Sequence, residues 1–207
     1  MKSSRLIAVI AVFAVVAIIY YSASTSSSDA DYKKQIENSR KEKDDFMKNG
    51  DGSPFEKNPE SFTGLKYFDA NQKYRIVADL EPIESKEIVV LQTSDGKEQR
   101  YTQYAKATFR LDDMPCELTI LEVIDSGPYK GTLFLAFADA SSAIETYGAG
   151  RYLDVKKQPG ASTITLDFNE AYNPYCAYSE DFSCPFPPKE NVLKVLIAAG
   201  EKVYHEE

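Results

Sequence analysis

From Lys73 onward the chain keeps one rhythm: short apolar runs in which every second residue is polar, each run closed by a turn signal. Side chains of an extended strand point alternately to opposite faces, so a period of two predicts strands with one buried face. The stretch "KYRIVADL" (73–80) sets Tyr74, Ile76, Ala78 and Leu80 on one side. "KEIVVLQT" (86–93), "EQRYTQYAKATFRL" (98–111) and "CELTILEVID" (116–125) follow at strand spacing. "KGTLFLAFAD" (130–139) is almost continuously apolar, which predicts a central strand buried on both faces. "ASTITLDF" (161–168) and "VLKVLIAAG" (192–200) complete the set. The turns "SDGK", "DSGPYKG" and "KKQPG" separate the runs, and no helical period intervenes. The fold class read from this pattern is mainly β: an antiparallel sandwich or barrel of about seven to nine strands.

One segment breaks the rhythm. Residues 173–191, "NPYCAYSEDFSCPFPPKEN", hold prolines at 174, 185, 187 and 188, which cannot donate to a ladder and end helices. Tyr172, Tyr175, Tyr178, Phe182 and Phe186 need somewhere to pack, so the segment reads as an ordered strap over the β domain with a small core of its own. Asn169, Asn173 and Asn191 can bond the backbone of a loop that has no regular partners.

The amino terminus reads differently. Lys2 and Arg5 precede the uncharged run 6–21, and "SASTSSS" comes directly after it. Positive charge ahead of an apolar run keeps the start of the chain in the cytoplasm. With Ser22 and Ala23 the run approaches the ~17–20 residues a spanning helix needs. Tyr20 and Tyr21 stand where an interfacial anchor would. Two readings stay open, an uncleaved signal-anchor and a signal peptide cut near Ser24. Both place the rest of the chain outside the cytoplasm, at the membrane or secreted, and a retained helix makes the membrane a partner. The domain plan is therefore 1–28 anchor and Ser-rich linker, 29–52 helical arm, and 53–207 β domain. In the arm, Tyr32, Ile36 and Phe46 form a sparse apolar stripe among many charges. That is the pattern of a solvated spacer or, alternatively, of a partner-binding helix.

Charge and residue types remove whole function classes. A net charge of -8 argues against a nucleic-acid partner, which a basic surface serves. The single histidine, His205, lies near the end of the chain, so zinc sites and Ser–His or Cys–His hydrolysis lack their base. "TYGAGRY" (146–152) lacks the strand-to-helix setting of a dinucleotide loop. No cofactor is expected. Within 139–154, Arg151 stands among Asp139, Glu145 and Asp154. It either bridges carboxylates around a tight turn or clamps an anionic ligand group. An enzyme built here would have to use carboxylates such as Glu145 and Asp167. On the oxidising side of a membrane, Cys176 and Cys184 are expected to close a small disulfide loop, leaving Cys116 as a buried apolar residue.

The motifs "YGAGRYLD", "LDFNEAYNPYCAY", "CPFPPKEN" and "AAGEK", with "SPF" and "FTGLKYF" upstream, resemble the bacterial, envelope-associated family catalogued only as domain of unknown function 1684. The resemblance implies that Tyr147, Gly148, Gly150, Arg151, Asp167, Asn169, Tyr172, Asn173, Cys176, Cys184, Asn191, Gly200 and Glu201 belong to its signature. It assigns them no role. The candidate pocket is accordingly Asp139, Glu145, Tyr147, Arg151, Asp167, Asn169, Tyr172, Asn173, Asn191 and Glu201. The leading expectation is a membrane-anchored extracytoplasmic β domain that binds a small molecule or an envelope protein. A carboxylate-dependent hydrolase and a structural envelope-assembly protein are the alternatives.

Overall fold

The computed structural model describes residues 28–125, 129–156 and 159–205. The apolar run 6–23 lies outside them, and among the described residues no helix is long and apolar enough to cross a membrane. Among the described residues one α-helix, α1 (28–49), precedes seven strands: β1 (Arg75–Pro82), β2 (Ile88–Gln92), β3 (Glu98–Leu111), β4 (Met114–Val123), β5 (Leu133–Phe137), β6 (Arg151–Leu153) and β7 (Thr163–Asp167). All pairings are antiparallel, in the order β6-β5-β4-β3-β1-β7, with β2 also on β3.

The architecture is neither the sandwich nor the closed barrel that period two allows. It is one curved sheet, a half-barrel, whose ends β6 and β7 do not pair. The curvature starts in β3. Its register against β4 shifts between Gln103 and Ala105, leaving Tyr104 as the extra residue of a bulge. Before the bulge β3 pairs with β2, and after it with β1, so one long strand serves two neighbours on the same side. The connection from β1 to β2 crosses at the bulge, where the Ile83 amide donates to the Tyr104 carbonyl at 3.0 Å. The β3–β4 hairpin closes through Asp112 and Asp113, both at positive φ, the two-residue turn whose twist matches the strands.

The main core lies in the concave face: Ala78, Leu80, Ala107, Leu118, Ile120, Leu135, Phe137, Leu166 and Phe168 among others. A second cluster, Leu91, Tyr101 and Leu121 with Phe134, forms on the opposite face. Strand β5 contributes to both, so its near-continuous apolar sequence is explained as expected.

Two expectations change. Residues 192–200 alternate correctly, with Leu193, Val195, Ile197 and Ala199 buried, yet they join no ladder. The segment runs extended beside β5 with a single parallel bridge, Ala138 to Val192. Conversely β6 was hidden in the glycine turn, because three residues carry no readable period. The arm α1 is no free spacer. Tyr32, Ile36 and Met47 are buried against the domain. Phe46, expected on the contact stripe, is exposed. Ten residues from Ile36 rotate a helix about 80° off the stripe, whereas the eleven to Met47 return it to within about 20°.

The strap's aromatics divide between two cores. Tyr175 and Tyr178 join Met47, Phe55 and Tyr204 beneath the end of α1. Tyr172 stacks edge-on against Tyr152, which in turn meets Phe134 of the second sheet face. Phe182 packs on Tyr175, and Phe186 is the exception, 40% exposed. The strap is thus a bridge between α1 and the outer face of the half-barrel.

Backbone conformation sets two opposite substitutions. Gly200 has φ +75°, and a Cβ there would stand 2.5 Å from the Ala171 carbonyl oxygen and 2.7 Å from that of Phe168. Ala143, by contrast, holds φ 62° with a side chain present. Gly150 (φ +90°) is of the first kind, while Gly148 needs no positive φ. Gly200→Ala therefore adds a backbone clash to left-handed strain and is expected to abolish the cooperative melt. Ala143→Gly relieves ~1–2 kcal/mol of left-handed strain against ~0.5–1 kcal/mol of added chain entropy, so urea denaturation should show a gain of roughly 0.5–1 kcal/mol.

Candidate functional site

The ten nominated residues do not line one cavity. Eight of them form separate polar knots, each tying a segment without regular partners to the sheet, while Glu145 and Tyr147 stand apart.

The deepest knot is Arg151, which is fully buried at the start of β6. Its Nη2 donates to Asp139 Oδ2 at 2.8 Å and to the Ile197 carbonyl at 3.1 Å. Its Nη1 donates to the carbonyls of Ala199 and, at 3.2 Å, Glu201. Asp139 Oδ1 accepts the amides of Ser141 at 2.9 Å and Ile197 at 3.1 Å. The carbonyls of 197, 199 and 201 are alternate groups on one edge of an extended chain, the groups a neighbouring strand would satisfy. Arg151 and Asp139 stand in for that strand. Burial pulls the Arg151 pKa down, and the charge of Asp139 opposes the shift. Arg151 is buried and paired as its setting suggested, but the segment it joins to the glycine turn is 197–201 rather than the strap at Asp167.

Asn191 does similar work between β4 and β5, which pair only at Leu121–Phe134 and Glu122–Leu133. Its Oδ1 accepts the Thr119 amide at 2.7 Å, and its Nδ2 donates to the carbonyls of Thr119 at 2.9 Å and Ala136 at 2.8 Å. One side-chain amide fills the gap where the two strands splay. Asn169 and Asp167 anchor the first half of α1. Tyr32 donates its hydroxyl to Asp167 at 2.8 Å, and Asn169 Nδ2 donates to that same Tyr32 oxygen at 2.8 Å and to the Asn71 carbonyl at 2.9 Å. Burial and the Asp167 carboxylate hold the Tyr32 hydroxyl well above its usual range.

The third knot, around Glu201, carries titratable groups with unfilled capacity. Glu201 is fully buried. Its Oε2 accepts the Asn173 amide at 2.8 Å and the Tyr178 hydroxyl. Lys43 of α1 brings Nζ to 2.7 Å from Oε1, off the hydrogen-bonding direction, so that contact is an ion pair. Lys43 also sits 4.1 Å from the Tyr172 ring centroid, and Tyr172 donates to Asp154 at 2.8 Å. Along the same seam Ser39 donates to Glu170 at 2.8 Å, Arg40 to the Asn169 carbonyl at 3.4 Å, and Asp44 accepts the Leu65 amide at 3.4 Å. Besides Glu201 Oε1, three buried atoms have no hydrogen-bond partner there: the Tyr67 hydroxyl, Asn173 Oδ1 and Arg40 Nε. They are neighbours, since Tyr67 bridges Glu201 by backbone and Arg40 stacks over the Tyr67 ring at 4.5 Å. Burial pushes the Glu170 and Asp44 carboxyls up, and Tyr67 far up.

Of the nominated residues, the seam gathers Tyr172, Asn173 and Glu201. Sequence reasoning missed Arg40, Lys43, Asp44, Tyr67 and Tyr178, because charges on an amphipathic arm read as a solvated face. Glu145 is exposed, and its carboxylate faces Lys202 at 3.8 Å. Asp167 is held by Tyr32, Asn169 and Arg75. The two carboxylates proposed for hydrolysis share no contact. Tyr147 points to Cys176, with its hydroxyl 3.9 Å from the sulfur. All three cysteines are free thiols, so the expected Cys176–Cys184 disulfide is not formed in this structure, although the Cys176 amide donates to Cys184 Sγ at 3.3 Å.

The knots account for nearly all of the polar signature, and that signature recurs in known proteins. A family profile described as "Protein of unknown function (DUF1684)" matches residues 60–202. The chain belongs to this family. A solved relative is an uncharacterized protein of Haloarcula marismortui, determined by solution NMR. It is 36% identical, with a TM-score of 0.64, and the match covers 86% of this chain and 99% of that one. No curated protein matches the chain. Family membership thus carries the fold and no activity.

Removing Arg151 would leave Asp139 buried and unpaired and three carbonyls unbonded. Arg151→Ala is expected to cost ~3–5 kcal/mol, against ~5–15 kcal/mol for a typical domain. Arg151→Lys should recover little, because one ammonium cannot span a carboxylate and three carbonyls. Chemical denaturation reads both. For Glu170 the sign is opposite to the usual carboxylate. Its folded pKa is raised, so its favourable contribution is present at low pH and lost as pH rises through the folded value. Glu170→Gln should raise the melting temperature at neutral pH, with the difference closing on acidification.

Proposed function

We propose that this protein is a membrane-tethered, extracytoplasmic binding domain. Its recognition site is the polar seam beneath α1, and α1 is the cover of that site. The observation that carries the reading is the cluster of unpartnered buried atoms around Glu201, namely the Tyr67 hydroxyl, Asn173 Oδ1 and Arg40 Nε. Buried polar atoms without partners are costly, and a bound polar molecule or water repays them. The Lys43 ammonium is already paired with Glu201, and the unpartnered atoms include a guanidinium donor, a hydroxyl and an amide acceptor, so a ligand bearing both donors and acceptors suits the seam best. The cover is held largely by polar contacts, five of them along its inner face. Contacts of this kind exchange readily with a polar ligand or with water.

The tether reading rests on the uncharged run 6–21 behind Lys2 and Arg5. If that segment is retained, α1 begins a few residues beyond the membrane surface, and a ligand that moves α1 would be sensed at the tether. Catalysis is the weaker reading because each buried carboxylate is committed to a structural partner.

Two measurements test the proposal. Intact mass of membrane-extracted protein should correspond to the full chain, and a mature chain starting near Thr25 would remove the tether. Hydrogen exchange should show α1 opening at lower free energy than β3 and β4. Lys43→Ala should accelerate exchange in α1 alone. Exchange of α1 together with the sheet, as one unit in both proteins, would rule out a cover.

A further inference from the structure

The strap crosses the β2–β3 turn at a fixed point. Thr93 bridges Pro185, the Ser94 amide donates to the Cys184 carbonyl at 2.9 Å, and the Cys184 amide donates to Ser94 Oγ at 3.1 Å. The Phe186 amide donates to the Gln92 carbonyl at 2.9 Å. Cys184 is therefore held on both sides and buried. Cys176 lies in the short 3-10 turn Tyr175–Ala177, half-buried, with its amide donating to Cys184 Sγ at 3.3 Å. The Tyr147 hydroxyl, 3.9 Å away, closes the third side.

From this arrangement we propose that Cys176 and Cys184 are a peroxide-reactive dithiol, with Cys176 the attacking thiolate and Cys184 the resolving thiol. The asymmetry comes from the surroundings. Hydroxyl and thiol donors from Cys184, Ser94 and Tyr147 face Cys176 and lower its pKa to about 6. Cys184 carries the shared proton and is buried, which pushes it up. The other titratable groups facing the pair are Tyr101, Tyr152 and Tyr175, all with raised values and neutral at physiological pH. Asp95, the carboxylate of the adjoining turn, is kept ionised by Lys97 and by the hydroxyls of Ser183 and Thr93.

The chemistry balances with a hydroperoxide as oxidant. The Cys176 thiolate attacks one peroxide oxygen, the O–O bond breaks, and the leaving hydroxide or alkoxide takes a proton. Cys176 becomes a sulfenic acid. The Cys184 sulfur then attacks the Cys176 sulfur, the S–O bond breaks, and water leaves with the Cys184 proton. Two thiols are oxidised by two electrons and the peroxide is reduced by two. An external dithiol reverses the step. Closing residues 176–184 into a ring constrains Tyr178, which donates to Glu201, so the oxidation state reaches the seam beneath α1. The reaction itself does not rest on the binding reading.

The test uses the full chain, reduced and freed of reductant. Excess hydrogen peroxide should lower the free-thiol count from three to one. The Cys176 and Cys184 peptides should become linked with the loss of two hydrogens, and dithiothreitol should restore all thiols. Iodoacetamide labelling of Cys176 should rise with pH to a plateau with its midpoint near 6, and at neutral pH should outpace Cys116 by roughly tenfold or more. In Cys184→Ser the sulfenic acid should persist on Cys176 and be trapped by dimedone. Three thiols surviving peroxide in the wild-type protein would overturn the proposal, as would a first adduct on Cys184 or Cys116. The wild-type result decides the matter even if the variant does not fold.

Discussion

The contact between Arg151 and the extended segment 197–201 is the constraint on which the rest of the domain depends. A half-barrel leaves a chain end lying along an open edge, and that chain's carbonyls need donors in a place water does not reach. One guanidinium with Asp139 beside it supplies them. Without this pair Ile197 and Ala199 would lose their seat in the core, and Glu201 would lose the backbone that holds its carboxylate under α1. The asparagines repeat the solution on a smaller scale, Asn191 between β4 and β5 and Asn169 between β7 and α1. Side-chain amides and a guanidinium here replace the ladder bonds that a closed sheet would have made.

This explains why so many of the signature residues are polar and buried at once. Among the described residues eleven polar or charged ones are buried, Asp139, Arg151, Asn169, Asn173, Asn191 and Glu201 included. Each is worth keeping because removing one partner exposes the other to the full cost of desolvation. Among the described residues, the buried polar atoms without a hydrogen-bond partner gather under α1, with Arg151 Nε the one outside it.

The strap links the two. It carries Tyr172, Asn173 and Tyr178 to the seam, sends Tyr172 against Tyr152, and pins Cys184 to the β2–β3 turn. Its prolines deny it a ladder, so its order comes from aromatic packing and from side-chain bonds to other segments. Tyr178 of the strap and Lys43 of α1 meet on one carboxylate, Glu201.

Local periodicity by itself determined much of the sheet. The bounds of β3, the two-faced burial of β5 and the extended character of 192–200 all stem from which residues are apolar and how often. The family resemblance marked Arg151, Asn169, Asn173, Asn191 and Glu201 as important. Sequence order could not say which of them would meet, because the carbonyls that Arg151 bonds lie 46 to 50 positions away and Tyr32, one partner of Asp167, lies 135 away. Nor could it say that the sheet stays open, since alternation is the same in a sandwich, a barrel and a half-barrel. Docking of α1 was invisible for a related reason. Its inner face is Ser39, Arg40, Lys43 and Asp44 between two apolar ends, and charges look solvated until the carboxylates and carbonyls that meet them are in place. Tertiary structure decided those meetings, because the energy of a buried charge depends on its neighbours in space and not on its neighbours in the chain.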